Sequence, residues 1–172
     1  MLSTQVRVTR NRKIVESMEA LEAKIGKRIP LLSKILLSDT GILEDKLHII
    51  LNSIPIVHVI KQIESDQVIS RQIYMIDPNS NRRLVYAHSH ICSNYLPLRI
   101  IDQIRDKKLG LGRIMLEYHM EIHKEILTLG YDPRNDKLFR SYRIYNKKRP
   151  IIKVKEVILV TDYELSGAII LK

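Results

Sequence analysis

Residues 150–159, PIIKVKEVIL, place a carboxylate where an apolar side chain is expected. Successive side chains of an extended strand point to opposite faces. One face of this stretch carries, in order, Ile152, Val154, Glu156, Ile158 and, one step on, Val160. The other face carries two lysines that can reach solvent, so the first face is the one predicted to be buried. Glu156 therefore needs a partner or a ligand, because burying a lone charge costs several kcal/mol.

The same rule finds a second buried charge in residues 67–77, QVISRQIYMID. One face of this strand carries Ile69, Arg71, Ile73 and Met75. Three interpretations remain open: Arg71 pairs with Glu156, the face is only half buried, or the two charges mark opposite ends of a small pocket. The planar guanidinium group binds a carboxylate through two hydrogen bonds, which suits Arg71 to hold an anion in such a pocket.

Length and composition predict one soluble globular domain. The chain has 172 residues, of which 45% are hydrophobic and 28% charged, which is typical of a folded domain with a substantial core. The single Cys92 excludes an intramolecular disulfide and fits a reducing compartment. No apolar run approaches the roughly 20 residues that span a bilayer, and the N-terminus lacks the apolar core of a signal peptide. We therefore expect a cytoplasmic protein.

The net charge of +10 raises the question of a nucleic-acid partner. The basic clusters lie at 7–13, 81–83, 105–108 and 147–149, in predicted tails, turns and loops. Aromatic residues make up only 5% of the chain, with no Trp and one Phe, so bases would find few stacking partners. We expect no nucleic-acid partner, and a basic field would equally attract a small anionic substrate.

The periodicity of apolar residues predicts an α+β fold, with helices first and strands later. Helices are predicted at 14–29, 30–38, 42–52 and 96–107, and strands near 55–64, 67–77, 83–92, 117–129, 137–146 and 150–161. Pro30 suits the start of the second helix, and turn formers at 77–81 predict a hairpin. Short turns between strands imply a largely antiparallel sheet of about six strands with helices on one side.

Several other motifs are weaker. His119 and His123 are four residues apart, but we predict a strand there with both on one face, and we predict no metal site. His88 and His90 alternate on a strand and are read as packing or edge residues. The glycines at 110 and 112 lie in a predicted loop at 107–112 and lack the third glycine of a dinucleotide-binding motif. Cys92 is read as a buried structural thiol.

Four segments, in their order and spacing, resemble the chorismate pyruvate-lyases, the enzymes that make 4-hydroxybenzoate. They are LLSDTGILEDKL at 36–47, SRQIYMI with LVYAHSHICSNYLP at 70–97, KKLGLGRIM at 107–115 and RSYRIYNKKRPIIKVKEVIL at 140–159. The likeness covers roughly residues 30–163 and is closest to the short archaeal members. Together with the pattern of predicted elements, it leads us to expect a single domain of this kind over 1–172. This domain has a basic N-terminal tail at 1–13, a helical part at 14–53 and a sheet with an interspersed helix at 54–172.

The resemblance also implies where a ligand would bind. The family fold is an antiparallel sheet backed by helices, with two helical flaps over a buried ligand. By position, Arg71 would hold the ring carboxylate, Glu156 would lie at the ring hydroxyl, and the main-chain amides of Ile42 and Leu111 would add contacts. The early loop departs from the family's usual Asp-Gly-Ser-x-Thr, since residues 39–43 read Asp-Thr-Gly-Ile-Leu.

The implied activity is conversion of chorismate to 4-hydroxybenzoate and pyruvate by Glu156 and Arg71, without a cofactor or metal. The expected ligand is a small aromatic or cyclohexadiene carboxylate, and no membrane partner is expected; the oligomeric state stays open. The alternative is a non-catalytic, effector-sensing module, because the same fold occurs in bacterial transcription regulators. Those regulators carry a winged helix ahead of the sensor, whereas about 50 residues precede the first predicted strand here, and 42–52 is poor in basic side chains for a recognition helix.

Overall fold

The computed structural model describes residues 2–9 and 13–159, and an antiparallel sheet is its main element. The strands are β1 (Thr4–Arg7), β2 (Ile56–Glu64), β3 (Val68–Ile76), β4 (Arg83–Cys92), β5 (Ile122–Asp132), β6 (Lys137–Asn146) and β7 (Arg149–Ile158). Within these residues the seven strands lie in the order β1-β5-β6-β7-β4-β3-β2, and every neighbouring pair is antiparallel. The predicted α+β class is confirmed, with seven strands where about six were predicted.

Five helices accompany the sheet in the described residues. They are α1 (Ile14–Ile25), α2 (Leu31–Ser38), α3 (Leu43–Leu51), α4 (Leu98–Arg105) and α5 (Leu111–Glu117). Helix α1 is shorter than predicted because Gly26 adopts a left-handed conformation (φ 69°) and its N–H bonds to the Glu22 carbonyl, which ends the helix. Pro30 and Pro97 directly precede α2 and α4, where the missing N–H of proline costs nothing.

The topology joins two three-stranded meanders. Strands β2, β3 and β4 form one and β5, β6 and β7 form the other, and β7 pairs with β4 to unite them. The predicted hairpin between β3 and β4 is present, and Asp77 closes it by accepting hydrogen bonds from the Asn79 N–H and the Ser80 hydroxyl. Because β4 and β7 are central, their inward side chains lie in the middle of the sheet. This position brings the two flagged strands, β3 and β7, within one strand of each other.

Three local predictions were wrong. Residues 4–7 form the edge strand β1, paired with β5, and are not part of a tail, because Val6 fits against the apolar rim of the sheet. The strand predicted near 117–129 begins only at Ile122, since α5 extends to Glu117 and His119 adopts a positive φ of 49° in the turn after it. The loop predicted at 107–112 ends earlier, because Leu111 is already the first residue of α5.

The helices cover one face of the sheet. Leu21, Leu36, Leu47, Ile100 and Ile114, one from each helix in order, are fully buried in a single apolar cluster with inward-facing sheet residues. On the opposite face Lys153 and Lys155 are exposed, as predicted from strand alternation. The continuation of the inward face to Val160 lies outside the described residues. No helix in the described part of the chain has the length and apolarity needed to cross a membrane.

The edge strand gives a test of the fold. Val6→Asp places a charge at a buried position between β5 and α1, so we expect the free energy of unfolding to fall by about 2–4 kcal/mol. Gln5→Asp is the matched control, because Gln5 is exposed on the same strand and should change stability by less than about 0.5 kcal/mol. Urea unfolding followed by circular dichroism measures both; equal stability of the two variants would contradict a docked β1.

Candidate functional site

Arg71 and Glu156 are both buried on the inward face, and they do not pair with each other. Their relative exposures are 1% and 3%, which excludes a half-buried face. The strand register places Arg71 level with Val154 of β7, one inward position before Glu156, with β4 in between. Two strand spacings of about 4.8 Å, plus one side-chain repeat along the strand, therefore separate their backbones. The two charges lie apart on one surface, as ends of a pocket would.

Small side chains on β4 leave space between these charges. The inward residues of β4 at this level are Ala87 and Ser89, which pair with Glu156 and Val154 on one side and with Ile73 and Arg71 on the other. A cavity of about 250 Å³ opens above them, lined by Arg71, Glu156, Ala87 and Ser89 among others. A cavity of about 150 Å³ accepts a benzene molecule, so this one has room for a single substituted ring.

Two helix N-termini form the roof of the cavity. Ile42, the residue that precedes α3, and Leu111, the first residue of α5, both line it. Gly112 brings α5 against α3, since a Cβ at 112 would lie only 3.3 Å from Ile42 Cγ2. The first N–H groups of a helix have no acceptor within the helix, so the amides of these two residues can bond to a ligand. All four predicted site residues therefore line one cavity.

Arg71 has hydrogen-bond donors that make no bond within the described structure. Its Nη2 donates to the Leu109 carbonyl at 2.8 Å, whereas Nε and Nη1 are buried and have no hydrogen-bond partner in the described structure. Burial lowers the pKa of Arg71 to about 10, so the group still carries its charge at neutral pH. A buried cation with two unused donors on the wall of a cavity is costly for folding and well suited to bind a carboxylate.

Glu156 is held by two residues of β6 that sequence reasoning missed. Arg140 Nε donates to one carboxylate oxygen at 2.7 Å, and the Tyr142 hydroxyl donates to the other at 2.6 Å. Arg140 is fully buried; burial works against its charge, but Glu156, Tyr142 and Asp39 together outweigh that effect and raise the pKa of Arg140. Burial, followed by the Glu156 charge, raises the pKa of Tyr142 well above its ordinary value, so Tyr142 remains a donor. Glu156 thus has protein partners even without a ligand.

Arg140 also binds the end of α2. Its Nη1 lies 2.6 Å from the Leu36 carbonyl and 2.6 Å from that of Asp39, with Leu37 at 3.3 Å. The last carbonyls of a helix lack N–H donors within the helix, and an arginine that donates to them is a favourable cap. Arg140 therefore connects β6, β7 and the segment that leads to Ile42. Strand alternation could have found it, because it shares its face with Tyr142 and Ile144.

Two further charged residues of the cavity were not predicted. Glu44 of α3 is 8% exposed, and Lys124 of β5 is half-buried and donates to the Gly41 carbonyl. Burial lowers the pKa of Lys124, whereas nearby carboxylates act in the opposite direction. The helical spacing of Glu44 with the buried Leu47 and Leu51 was a signal for the first residue. Strand alternation was the signal for Lys124, which shares a face with Ile122 and Ile126.

The remaining motifs lie away from the cavity. The rings of His88 and His90, on the face of the sheet away from the cavity, have centroids 4.5 Å apart and are tilted by 52°, and Ser70 Oγ lies 3.0 Å from His88 Nε2. His119 and His123 do not share a strand face, since only the second belongs to β5. Across residues 2–9 and 13–159, no three His, Cys, Asp or Glu side chains are grouped to hold a metal ion. Cys92 is a free thiol and is half-buried rather than buried.

Comparison with known proteins gives one match that covers most of the site. The family model described as Chorismate pyruvate-lyase Rv2949c-like matches residues 48–162, more than half of the chain. The match includes β3, α5 and β7, and hence Arg71, Leu111 and Glu156, while Ile42 and Glu44 precede it. No curated protein matches the chain.

The contacts of Arg140 predict a strong effect on stability. Arg140→Met would leave the Glu156 carboxylate buried without its cation and uncap α2, so the free energy of unfolding should fall by about 3–5 kcal/mol. Arg143→Met is the control, since Arg143 is exposed on the same strand and should be neutral. Adding Glu156→Leu to Arg140→Met should recover part of the loss, because an apolar pair costs less than an unpaired charge. If chemical denaturation shows the double variant to be less stable than Arg140→Met alone, this account is refuted.

Proposed function

The chain belongs to the chorismate pyruvate-lyase family, and on that basis we propose that it converts chorismate to 4-hydroxybenzoate and pyruvate without a cofactor. The observation that carries this proposal is Arg71, a buried guanidinium with two unused donors on the wall of a ring-sized cavity. An anionic ligand would offset the cost of burying this group, because it satisfies both the charge and the unused donors. The ring carboxylate of chorismate supplies that anion.

The opposite end of the cavity offers an acceptor for a ring hydroxyl. Each oxygen of Glu156 accepts one hydrogen bond from the protein, and a carboxylate oxygen has a second lone pair free. A ring with its carboxylate on Arg71 of β3 and its hydroxyl in the para position would reach across β4 to Glu156 of β7. Arg140 and Tyr142 would keep the Glu156 carboxylate in place, and the amides of Ile42 and Leu111 would bond to the polar ends of the ring.

The reaction itself makes few demands on the protein. It breaks the ether bond between the ring and the enolpyruvyl group and removes the hydrogen from the ring carbon that bears the hydroxyl. The departing enolpyruvate takes up a proton and becomes pyruvate, so protons balance and no electron acceptor is required. Because the ring becomes aromatic, the reaction is strongly downhill. The contribution of the protein is to hold the dianion in a reactive geometry and to exclude water, which the roof of α3 and α5 favours.

Turnover of the purified protein is the direct test. Incubation with chorismate should release 4-hydroxybenzoate and pyruvate in equal amounts, measured by chromatography. The rate of release should be unchanged by EDTA. Loss of activity in EDTA with recovery on added zinc would contradict the mechanism. Binding of 4-hydroxybenzoate without any turnover would instead identify a non-catalytic binding module.

Arg71 should matter for ligand affinity and not for folding. Arg71→Met keeps the apolar stem and removes a poorly satisfied charge, so ligand-free stability should be unchanged or higher. The affinity for 4-hydroxybenzoate should fall roughly 10–150-fold, the equivalent of about 1.5–3 kcal/mol for lost charged hydrogen bonds. Calorimetric titration and thermal melting measure the two effects. Arg99→Met, at an exposed position of α4, should change neither; undiminished affinity in Arg71→Met would remove the carboxylate clamp from the proposal.

A further inference from the structure

Glu44 lines the same cavity and has no role in the reaction proposed above. Its side chain is 8% exposed, at the start of α3, and it makes no hydrogen bond or ion pair with any residue that the structure describes. The neighbouring Asp45 does have a partner, since it accepts from Arg113 Nη2 at 2.8 Å. A largely buried carboxyl group that faces a cavity without a protein partner is available to a ligand bound there.

Glu44 and Arg71 converge on one peptide group. Arg71 Nη2 donates to the carbonyl of Leu109, and the carboxyl group of Glu44 lies against the next residue, Gly110. A Cβ at position 110 would collide with Glu44 Oε1, so glycine is what lets the carboxyl group lie there. The two side chains are nevertheless not joined by an ion pair within the described residues. The carboxyl group thus lies at the end of the cavity where the free donors of Arg71 would hold an anion.

Charged or titratable groups on six elements of the fold surround Glu44. They are Asp45 on α3, Arg71 on β3, Arg113 on α5, Lys124 on β5, Tyr142 on β6 and Glu156 on β7. Burial is the largest influence on Glu44 and raises its pKa; Arg113 and Arg71 lower it, and Asp45 and Glu156 raise it further. Among the described groups, Glu44 is also the carboxylate that acts on the pKa of Arg71.

We propose that Glu44 is a ligand-binding residue that holds a proton and donates a hydrogen bond to the carboxylate of the bound molecule beside Arg71. This inference rests on the proposed function in that the ligand is taken to carry a carboxylate. Two carboxyl groups at one site cannot both ionise cheaply, so they share one proton. The shared proton turns Glu44 from a repelling anion into a third donor next to Nε and Nη1 of Arg71.

A protonated Glu44 beside the bound carboxylate makes ligand affinity fall as the pH rises. The ligand carboxylate raises the pKa of Glu44 in the complex above its value in the free protein, so binding takes up a proton. Affinity is then highest below the pKa of the free protein, falls up to about tenfold per pH unit as the pH rises through it, and levels off above the pKa of the complex. A Glu44 that served only to pack α3 against α5 would leave affinity independent of this titration.

The probe is 4-hydroxybenzoate, titrated calorimetrically into the full chain from about pH 5.5 to 8.5, where ordinary carboxylates are ionised. The wild-type affinity should decline with rising pH, and titrations in two buffers of different ionisation enthalpy should show uptake approaching about one proton within that range. Glu44→Gln keeps a neutral donor of the same shape, so its affinity should be high and nearly constant across the range. Glu16→Gln, at an exposed position of α1, should retain the wild-type dependence.

The outcomes separate this inference from the lyase assignment. The role of Glu44 is overturned if the wild-type affinity does not change with pH, or if Glu44→Gln shows the same pH dependence as the wild type. An absence of 4-hydroxybenzoate binding overturns it as well. If Glu44→Gln does not fold, the proton count of the wild type decides alone, and no uptake overturns the inference. Failure of the wild type to turn over chorismate, with proton-linked binding intact, would refute the lyase and leave Glu44 as a carboxylate-binding residue.

Discussion

The buried ion pair between Arg140 and Glu156 is the contact on which the rest of the site depends. Both groups lie in the middle of an apolar sheet face, where neither would be tolerated alone. Arg140 donates from Nη1 to the carbonyls at the end of α2, so one guanidinium connects two strands and the segment that leads into the roof of the cavity. The position of Ile42 and α3 over the sheet follows from that connection.

The cavity exists because the central strand β4 contributes little volume. With Ala87 and Ser89 facing inward between Arg71 and Glu156, the apolar layer has a gap where other sheets have a packed core. The helices α3 and α5 close over this gap through the contact of Gly112 with Ile42. The result is a small cavity between sheet and helices, with charged groups at its ends and apolar walls, which is the usual composition of a ligand site.

The buried charges of this cavity fall into two classes, and the difference is informative. Both oxygens of Glu156 are bonded by Arg140 and Tyr142, which makes these residues part of the scaffold, although Nη2 of Arg140 has no partner in the described structure. Arg71 keeps two buried donors without a partner, and Glu44, at the same end of the cavity, makes no hydrogen bond or ion pair within the described residues. Unsatisfied polar groups reduce stability, so their retention in one place indicates a site built for a molecule that completes them.

Strand alternation alone identified Arg71 and Glu156, because a period of two separates buried from exposed positions whatever the rest of the fold does. The order of elements, the hairpin at 77–81 and the antiparallel sheet also followed from local patterns. Tertiary structure decided the partners. Arg140 lies directly opposite Glu156 in the β6–β7 pair, only 16 positions away, but the offset of Arg71 from Glu156 depends on the register of both neighbours of β4. The contact of Arg140 with the end of α2 joins residues 104 positions apart, which no local pattern predicts. Nor could such a pattern place β1 in the sheet or Glu44 beside Arg71, because both depend on which surfaces are left uncovered once the two meanders have joined.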